Sequence, residues 1–122
     1  MNKILFSDFD GTLFFKEGFH QEDIEAIKTF QSKGNKFALC TGRPLGGVNA
    51  LMKGKIIPDY YVLCTGGLVL DKNYQVIYAQ EIPFELVKEV CQKYENETEN
   101  ILKVEIELKN DRFPIEISED NE

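Results

Sequence analysis

The chain has 122 residues, of which 43% are hydrophobic and 29% charged, as is ordinary for one soluble globular domain. It carries 14 basic and 21 acidic residues, and the resulting formal net charge of -7 argues against nucleic acid or a membrane surface as a partner, because both are anionic. No run of residues approaches the roughly 20 apolar positions that span a bilayer, and three sparsely spaced cysteines predict reduced thiols in a cytoplasmic protein.

The first predicted elements are a strand and a helix. Residues 4–6 form a short apolar run that ends abruptly in polar residues and glycine, which is typical of a strand buried on both faces that leads into a functional loop. Apolar residues then recur every three positions between residues 22 and 33, and Gly34 follows where helices commonly end. The sequence therefore predicts a helix over residues 22–33.

The same order of elements repeats along the next segment. Residues 36–40 are a second apolar run, and Pro44 suits the first turn of a helix whose apolar face continues to residue 52. Residues 60–64 are a third apolar run. Strands that alternate with helices at this spacing predict a parallel sheet with right-handed crossovers, so the predicted fold class is α/β.

The pattern changes after the third strand. Two short apolar runs flank residues 71–74 and predict a hairpin, and residues 84–94 have the spacing of an amphipathic helix that begins after Pro83. After a polar linker at residues 95–100, strict alternation over residues 102–108 predicts a strand with one solvated face. A turn at residues 109–112 and an edge strand at residues 113–117 complete the prediction.

Two aspartates follow the first predicted strand, in Asp8-Phe9-Asp10-Gly11-Thr12-Leu13. This places both carboxylates at the C-terminal end of a parallel strand, where open α/β sheets bind ligands. One carboxylate can attack phosphorus as a covalent nucleophile while the other transfers protons. A cation must offset the repulsion between nucleophile and phosphate, and Mg²⁺ suits carboxylate, carbonyl and phosphate oxygens.

A second polar segment, Thr41-Gly42-Arg43-Pro44, follows the second predicted strand. A hydroxyl and backbone N–H groups at the start of a helix form a natural phosphate site, and Arg43 adds a fork of donors. Alone, this segment would favour simple helix capping by threonine. One βαβ unit after the aspartates, it predicts the second part of a phosphate-binding site.

These two segments resemble the first and second motifs of the haloacid dehalogenase superfamily, in its Cof-type or class IIB capped phosphatase branch. The resemblance implies that residues 1–82 are the N-terminal half of the catalytic core, including the hairpin. It also implies that residues 83–122 begin an inserted α/β cap. The activity implied is Mg²⁺-dependent hydrolysis of a small phosphorylated metabolite through a phospho-aspartyl intermediate.

The resemblance also implies roles for individual residues. Asp8 would be the nucleophile and a magnesium ligand, and Asp10 the acid/base, with its backbone carbonyl on the metal. Thr41 would hold the phosphoryl group that is transferred. Gly42 would supply a backbone donor, and Arg43 would contact the substrate or the cap.

The sequence departs from the family pattern in three places. Thr65 stands where the branch usually has asparagine before glycine, and neither a later lysine nor a second acidic motif is recognisable. We therefore expect the chain to cover about half of a family domain. The strand at residues 4–6 would then expose an unpaired apolar edge, through which the isolated chain would oligomerise, aggregate or borrow a strand, with little or no phosphatase activity.

Other functions remain as alternatives. A non-catalytic phosphate-binding or regulatory module would retain an anion site without turnover. A receiver-like phosphoacceptor domain also places aspartates at a strand end, but it does not account for Thr41-Gly42-Arg43-Pro44 followed by cap-like strands. The chain has neither the glycine-rich dinucleotide fingerprint after the first strand nor the phosphate-binding loop of nucleotide triphosphatases.

Overall fold

A computed structural model describes residues 2–94, 105–107 and 112–114. The strands are β1 (Ile4–Asp8), β2 (Phe14–Phe15), β3 (Gly18–Phe19), β4 (Lys36–Cys40), β5 (Tyr60–Leu63), β6 (Leu68–Asp71), β7 (Val76–Ala79), β8 (Glu105–Glu107) and β9 (Arg112–Pro114). The helices are α1 (Gln21–Ser32), α2 (Leu45–Met52) and α3 (Phe84–Tyr94).

The main sheet has five strands in the order β1-β4-β5-β6-β7. Its first three strands are parallel: Asp8 pairs with Cys40 at the end of β1, and Cys40 pairs with Val62. Helix α1 connects β1 to β4, and α2 connects β4 to β5. The predicted α/β class is confirmed, and the parallel pairing brings the C-terminal ends of β1, β4 and β5 to one edge of the sheet.

The first helix shows how local residues set its ends. It covers residues 21–32, one position earlier than predicted, and begins after His20 without a side-chain cap. After its last residue, Ser32, the backbone N–H groups of Lys33 and Gly34 donate to carbonyls of the last turn. Gly34 has a φ of 85°, a conformation that favours glycine, so the chain can leave the helix and enter β4 at once.

The predicted hairpin after the third strand is confirmed as β6 and β7. Its turn is held by Asp71, whose Oδ1 accepts the backbone N–H of Asn73 at 2.8 Å and of Gln75 at 3.0 Å. An aspartate that binds the backbone two residues later is a common way to form a tight turn. Because β6 is antiparallel to β5, the hairpin extends the parallel strands into one mixed sheet.

The hydrophobic core lies where α1 and α2 pack against the parallel strands. Phe37 and Leu39 on β4 are fully buried, as are Val48 on α2 and Leu63 on β5. Full burial of one such side chain stabilises the folded state by roughly 1.5–3 kcal/mol. The core therefore fixes β4 and β5 most firmly, and the loops that follow these two strands start from rigid positions.

Strand β1 is less buried than its composition predicts. Ile4, Leu5 and Phe6 are 46%, 44% and 57% exposed, so the expectation of a strand buried on both faces was wrong. The reason is its place in the sheet: among the described strands, β1 pairs with β4 alone and forms an edge. Within the described strands, β1 therefore forms the apolar edge that was expected, and such edges promote association with other chains.

The last part of the chain is described only at two short strands. β8 and β9 pair antiparallel, with Ile106 opposite Phe113, which agrees with the predicted alternating strand and the strand that follows it. Arg112 belongs to β9 rather than to the predicted turn. The predicted linker at residues 95–100 and the rest of these predicted strands lie outside the described residues. Within the described part of the chain, no helix combines the length and apolar character that crossing a membrane requires.

Candidate functional site

Three loops meet at the edge of the sheet where the parallel strands end. Asp8 is the last residue of β1, and Thr41 directly follows β4. The backbone N–H of Thr41 donates to the carbonyl of Val62 at 2.9 Å, and the backbone N–H of Thr65 donates to the carbonyl of Thr41 at 3.2 Å. The loops after β4 and β5 are thus joined by backbone hydrogen bonds beside the end of β1.

The loop after β1 is organised by the fully buried Phe9. Its carbonyl accepts backbone N–H groups from Thr12, Leu13 and Phe14 at 2.9–3.3 Å, so the chain turns tightly around it. Gly11 adopts a φ of 79° within this turn, where a side chain would be strained. Because Phe9 points into the core, its two neighbours in sequence, Asp8 and Asp10, are exposed.

Asp8 interacts with its own loop and with the neighbouring strand. The Thr12 hydroxyl donates to Asp8 Oδ2 at 3.4 Å, a long hydrogen bond that leaves the other carboxylate oxygen, Oδ1, outside this contact. Burial and the charge of Asp8 raise the pKa of Cys40, the partner of Asp8 in the sheet. Cys40 is therefore held as the neutral thiol, which disfavours it as a nucleophile beside Asp8.

Asp10 forms a two-point ion pair with Arg43. The Arg43 Nε donates to Asp10 Oδ2 and its Nη2 to Asp10 Oδ1, both at 2.9 Å. The hydrogen bond from Arg43 and, to a smaller extent, its charge lower the pKa of Asp10, and this lowering outweighs the opposing effect of burial. Since the side chains are 53% and 39% exposed, we expect the pair to stabilise the fold by no more than about 1 kcal/mol.

Thr41 is the buried polar residue of the site, with 8% of its surface exposed. Its Oγ1 accepts the backbone N–H of Arg43 at 3.0 Å. An oxygen that accepts this bond still carries its own proton, which it can donate to a ligand. The Thr41 hydroxyl is therefore able to act as a donor at the edge of the sheet.

Gly42 lies against the loop that follows β5. A Cβ at this position would be 3.2 Å from the Thr65 Oγ1, closer than nearly all such contacts. Glycine thus lets the loops after β4 and β5 approach each other. The proposed role of Gly42 as a backbone donor to a ligand stays a prediction.

The turn after β5 has unusual backbone geometry that the sequence does not predict. Strand β5 ends at Leu63, one residue before the predicted end, and Cys64 and Thr65 follow with φ values of 51° and 56°. Such values cost of order 1–3 kcal/mol at non-glycine residues and occur often at functional sites. The Cys64 N–H donates to the Arg43 carbonyl at 3.2 Å, so this strained turn supports the loop that carries Thr41 and Arg43.

The structure brings together several residues that the sequence singles out. Asp10 contacts Arg43, Thr41 contacts Arg43 through its hydroxyl, and Asp8 lies on the adjacent strand at the same edge. The Asp10–Arg43 pair was not predicted, because Arg43 was expected to contact the substrate or the cap. The convergence of Asp8, Asp10 and Thr41 on one bound phosphoryl group stays a prediction.

Comparison with known proteins identifies the family. A profile of the haloacid dehalogenase-like hydrolases matches residues 5–120 of the 122-residue chain. The chain belongs to this family. Among curated proteins, it is 32% identical over 94 residues to a candidate phosphatase of Buchnera aphidicola and 30% identical over 117 residues to YxeH, a candidate phosphatase of Bacillus subtilis. These alignments cover 76% and 89% of this chain, and 35% and 38% of the relatives.

Solved structures of the haloacid dehalogenase superfamily share the fold. BT1666 from Bacteroides thetaiotaomicron, a phosphatase of this superfamily, superimposes with a TM-score of 0.75 at 24% identity, over 98% of this chain and 43% of that one. The subclass IIB sugar phosphatase BT4131 is 29% identical, with a TM-score of 0.58 over 76% of this chain and 38% of that one. The predicted Cof-type, subclass IIB relationship is confirmed.

The chain spans about a third of the length of the curated relatives that it matches. The aligned part holds the first two motifs of this haloacid dehalogenase-like hydrolase, at Asp8 to Leu13 and at Thr41 to Pro44. In the part of the chain that the structure describes, no group of three or more acidic, histidine or cysteine side chains is arranged to hold a metal ion. The predicted role of Asp8 and Asp10 as metal ligands stays a prediction.

Proposed function

We propose that this protein is a Mg²⁺-dependent phosphatase that hydrolyses a small phosphorylated metabolite through a phospho-aspartyl intermediate on Asp8. The observation that supports this most is the position of the two exposed carboxylates. Asp8 and Asp10 flank the buried Phe9 at the end of β1, beside the loop that carries Thr41. Both carboxylates thus lie where a parallel sheet binds ligands.

In the proposed reaction, Asp8, Asp10 and Thr41 each have a separate role. A carboxylate oxygen of Asp8 attacks phosphorus and forms the phospho-aspartyl bond, while the bond between phosphorus and the leaving oxygen breaks. Asp10 gives a proton to that leaving oxygen and later takes a proton from the water that hydrolyses the intermediate. The hydroxyl of Thr41 donates to a phosphoryl oxygen and holds the group in position between the two steps.

The donor set at the end of β1 fits magnesium. Mg²⁺ is usually bound by one or two carboxylates together with waters and substrate phosphate, and it does not need a complete cage of protein ligands. The Asp8 carboxylate and the Asp10 backbone carbonyl would hold it here. When bound, the ion supplies positive charge that offsets the repulsion between Asp8 and the phosphoryl group.

The proposed substrate is a small phosphorylated metabolite, and two observations support it. Because BT4131 is a sugar phosphatase, a sugar phosphate is one candidate substrate, beside cofactor phosphates and nucleotides. The net charge of -7 supports a small-molecule substrate rather than nucleic acid or a membrane surface. We also propose that the protein is located in the cytoplasm.

A non-catalytic phosphate-binding or regulatory module is the second candidate. The observation that favours it is the ion pair of Asp10, whose two carboxylate oxygens are both bound to Arg43. An acid/base that stays in this pair does not reach a leaving group. Metal-dependent hydrolysis of a generic aryl phosphate supports the phosphatase, whereas phosphate binding without turnover supports the regulatory module.

Substitution of Asp8 tests the proposed nucleophile. In the protein as its gene encodes it, Asp8→Asn should reduce aryl phosphate hydrolysis to below about one per cent of the wild-type rate, because the amide is not nucleophilic and is a poor magnesium ligand. Asp23→Asn on α1 makes the same chemical change away from the site and serves as the control. Turnover above that level in Asp8→Asn, with the control unaffected, would exclude Asp8 as the nucleophile.

The exposed edge of β1 leads to a proposal about association. The purified 122-residue chain should form oligomers through β1, because Ile4, Leu5 and Phe6 expose apolar surface at an edge that no other described strand covers. Sedimentation velocity measures this, and Leu5→Lys places a charge on the edge and should shift the distribution towards monomer. A monomeric wild-type chain at the same concentration would contradict the proposal.

A further inference from the structure

The ion pair between Asp10 and Arg43 occupies the residue that the proposed function assigns to proton transfer. Both carboxylate oxygens accept a hydrogen bond from the guanidinium, each at 2.9 Å. A carboxyl group that gives a proton to a leaving oxygen must reach that oxygen directly or through one water. In the structure, the two carboxylate oxygens of Asp10 that would make this contact are both bound to the guanidinium of Arg43.

The backbone of Arg43 is fixed while its side chain is accessible. Its backbone N–H donates to Thr41 Oγ1 at 3.0 Å, and its carbonyl accepts the backbone N–H of Cys64 at 3.2 Å. The guanidinium lies 5.8 Å above the ring of Phe9, and 39% of the side chain is exposed. A change of partner therefore requires side-chain rotation only, and the loop that carries Thr41 can stay in place.

We propose that Arg43 is a latch that exchanges partners when the proposed substrate binds. In one position it closes on Asp10, with the geometry seen in the structure, and a bound phosphate draws the guanidinium away and releases both oxygens of Asp10 towards the leaving group. This inference rests on the proposed function of the same site. It adds that phosphate binding and the release of the acid/base are coupled through one side chain.

The chemistry of the guanidinium makes this exchange reasonable. Its planar fork of N–H groups binds a carboxylate and a phosphate with the same two-point geometry. A phosphate monoester carries more negative charge than one carboxylate, so it competes well for the same cation. Thr41, whose Oγ1 already accepts the Arg43 N–H, would lie beside the phosphate in the exchanged state.

A double-mutant cycle on phosphate binding tests the latch. The dissociation constant of inorganic phosphate is measured by calorimetry, at constant magnesium and ionic strength, for the wild-type chain and for Asp10→Asn, Arg43→Gln and the double variant. Asp10→Asn weakens the ion pair with Arg43 and should lower the dissociation constant of phosphate. Arg43→Gln alone should raise this dissociation constant. Lys55→Gln is the matched control, since it removes a cation that lies 5.7 Å from the Phe19 ring rather than on Asp10.

The size of the coupling decides the outcome. We expect the tightening by Asp10→Asn to be larger in the wild-type background than in the Arg43→Gln background, by roughly two- to fivefold, the factor that matches a partly exposed ion pair. Equal tightening in both backgrounds would mean that Asp10 acts only by repelling the anion, and it would overturn the latch while leaving the phosphate site intact. Absence of phosphate binding in every variant would instead overturn the proposed site and the latch together.

Discussion

The two ends of the parallel strands both carry aspartates, and these are held in different ways. At the N-terminal end, Asp59 accepts the backbone N–H of Phe37 at 2.8 Å and the side-chain amide of Gln31 at 3.1 Å, and only 19% of it is exposed. At the C-terminal end, Asp8 and Asp10 are exposed and bind the side chains of Thr12 and Arg43.

The two sets of hydrogen bonds differ in how much stability is lost when one of them is broken. A carboxylate that satisfies a backbone N–H joins strands and a helix, and its loss leaves a partly buried donor without a partner. Bonds between exposed side chains contribute little to stability, so they can be exchanged for bonds to a ligand. Asp59 is therefore a structural residue of the sheet, whereas Asp8 and Asp10 can exchange their side-chain partners at little cost in stability.

Replacement of Asp10 should have a large effect on catalysis and a small effect on stability. In the protein as its gene encodes it, Asp10→Asn should slow hydrolysis by about 10² to 10⁴, the usual effect of losing a general acid/base. The midpoint of urea unfolding should change little, because the ion pair with Arg43 is half-exposed. Steady-state rates across pH and a denaturation curve measure both effects. A pH–rate profile that keeps its wild-type height and shape would contradict the assigned role.

Replacement of Asp59 should give the opposite result. Asp59→Ala removes the acceptor of the Phe37 N–H and one of the two acceptors of the Gln31 amide, which keeps its bond to the carbonyl of Ile57 at 2.9 Å. We expect a loss of about 1–3 kcal/mol in the free energy of unfolding. Phosphate binding by the remaining folded protein should be preserved, since Asp59 is at the other end of the strands. Urea unfolding and phosphate calorimetry measure these, with Asp23→Ala as the control. An unchanged unfolding midpoint would show that Asp59 is not a structural anchor.

Much of the fold was predictable from sequence because its signals are local. The apolar run at residues 36–40 coincides with β4, and helix α1 differs from its prediction by one position, since Gly34 marks its end. The exposure of β1 was not predictable from its composition, because burial depends on which strand lies on each side. The hairpin of β2 and β3 was not predictable either, because strands of two residues are too short to show an alternating pattern of apolar residues.

The candidate site shows a similar division. Asp8, Asp10 and Thr41 were identifiable because each follows a predicted strand, and parallel strands end at one edge of a sheet. The bond between Asp10 and Arg43 joins side chains 33 positions apart, so no local pattern carries it. The left-handed backbone at Cys64 and Thr65 likewise depends on hydrogen bonds to the neighbouring loop, which sequence periodicity does not encode.

Chemical-shift mapping can show whether phosphate binds at the C-terminal end of the parallel strands. Inorganic phosphate is added to the isotope-labelled chain in the presence of magnesium, and the backbone amide signals are followed by NMR. We predict that the signals of Gly11, Gly42 and Thr65 shift in a saturable way, while those of Phe37 and Asp59 stay in place. Saturable shifts at Phe37 and Asp59 alone, or no shifts at Gly11 and Gly42, would contradict the account.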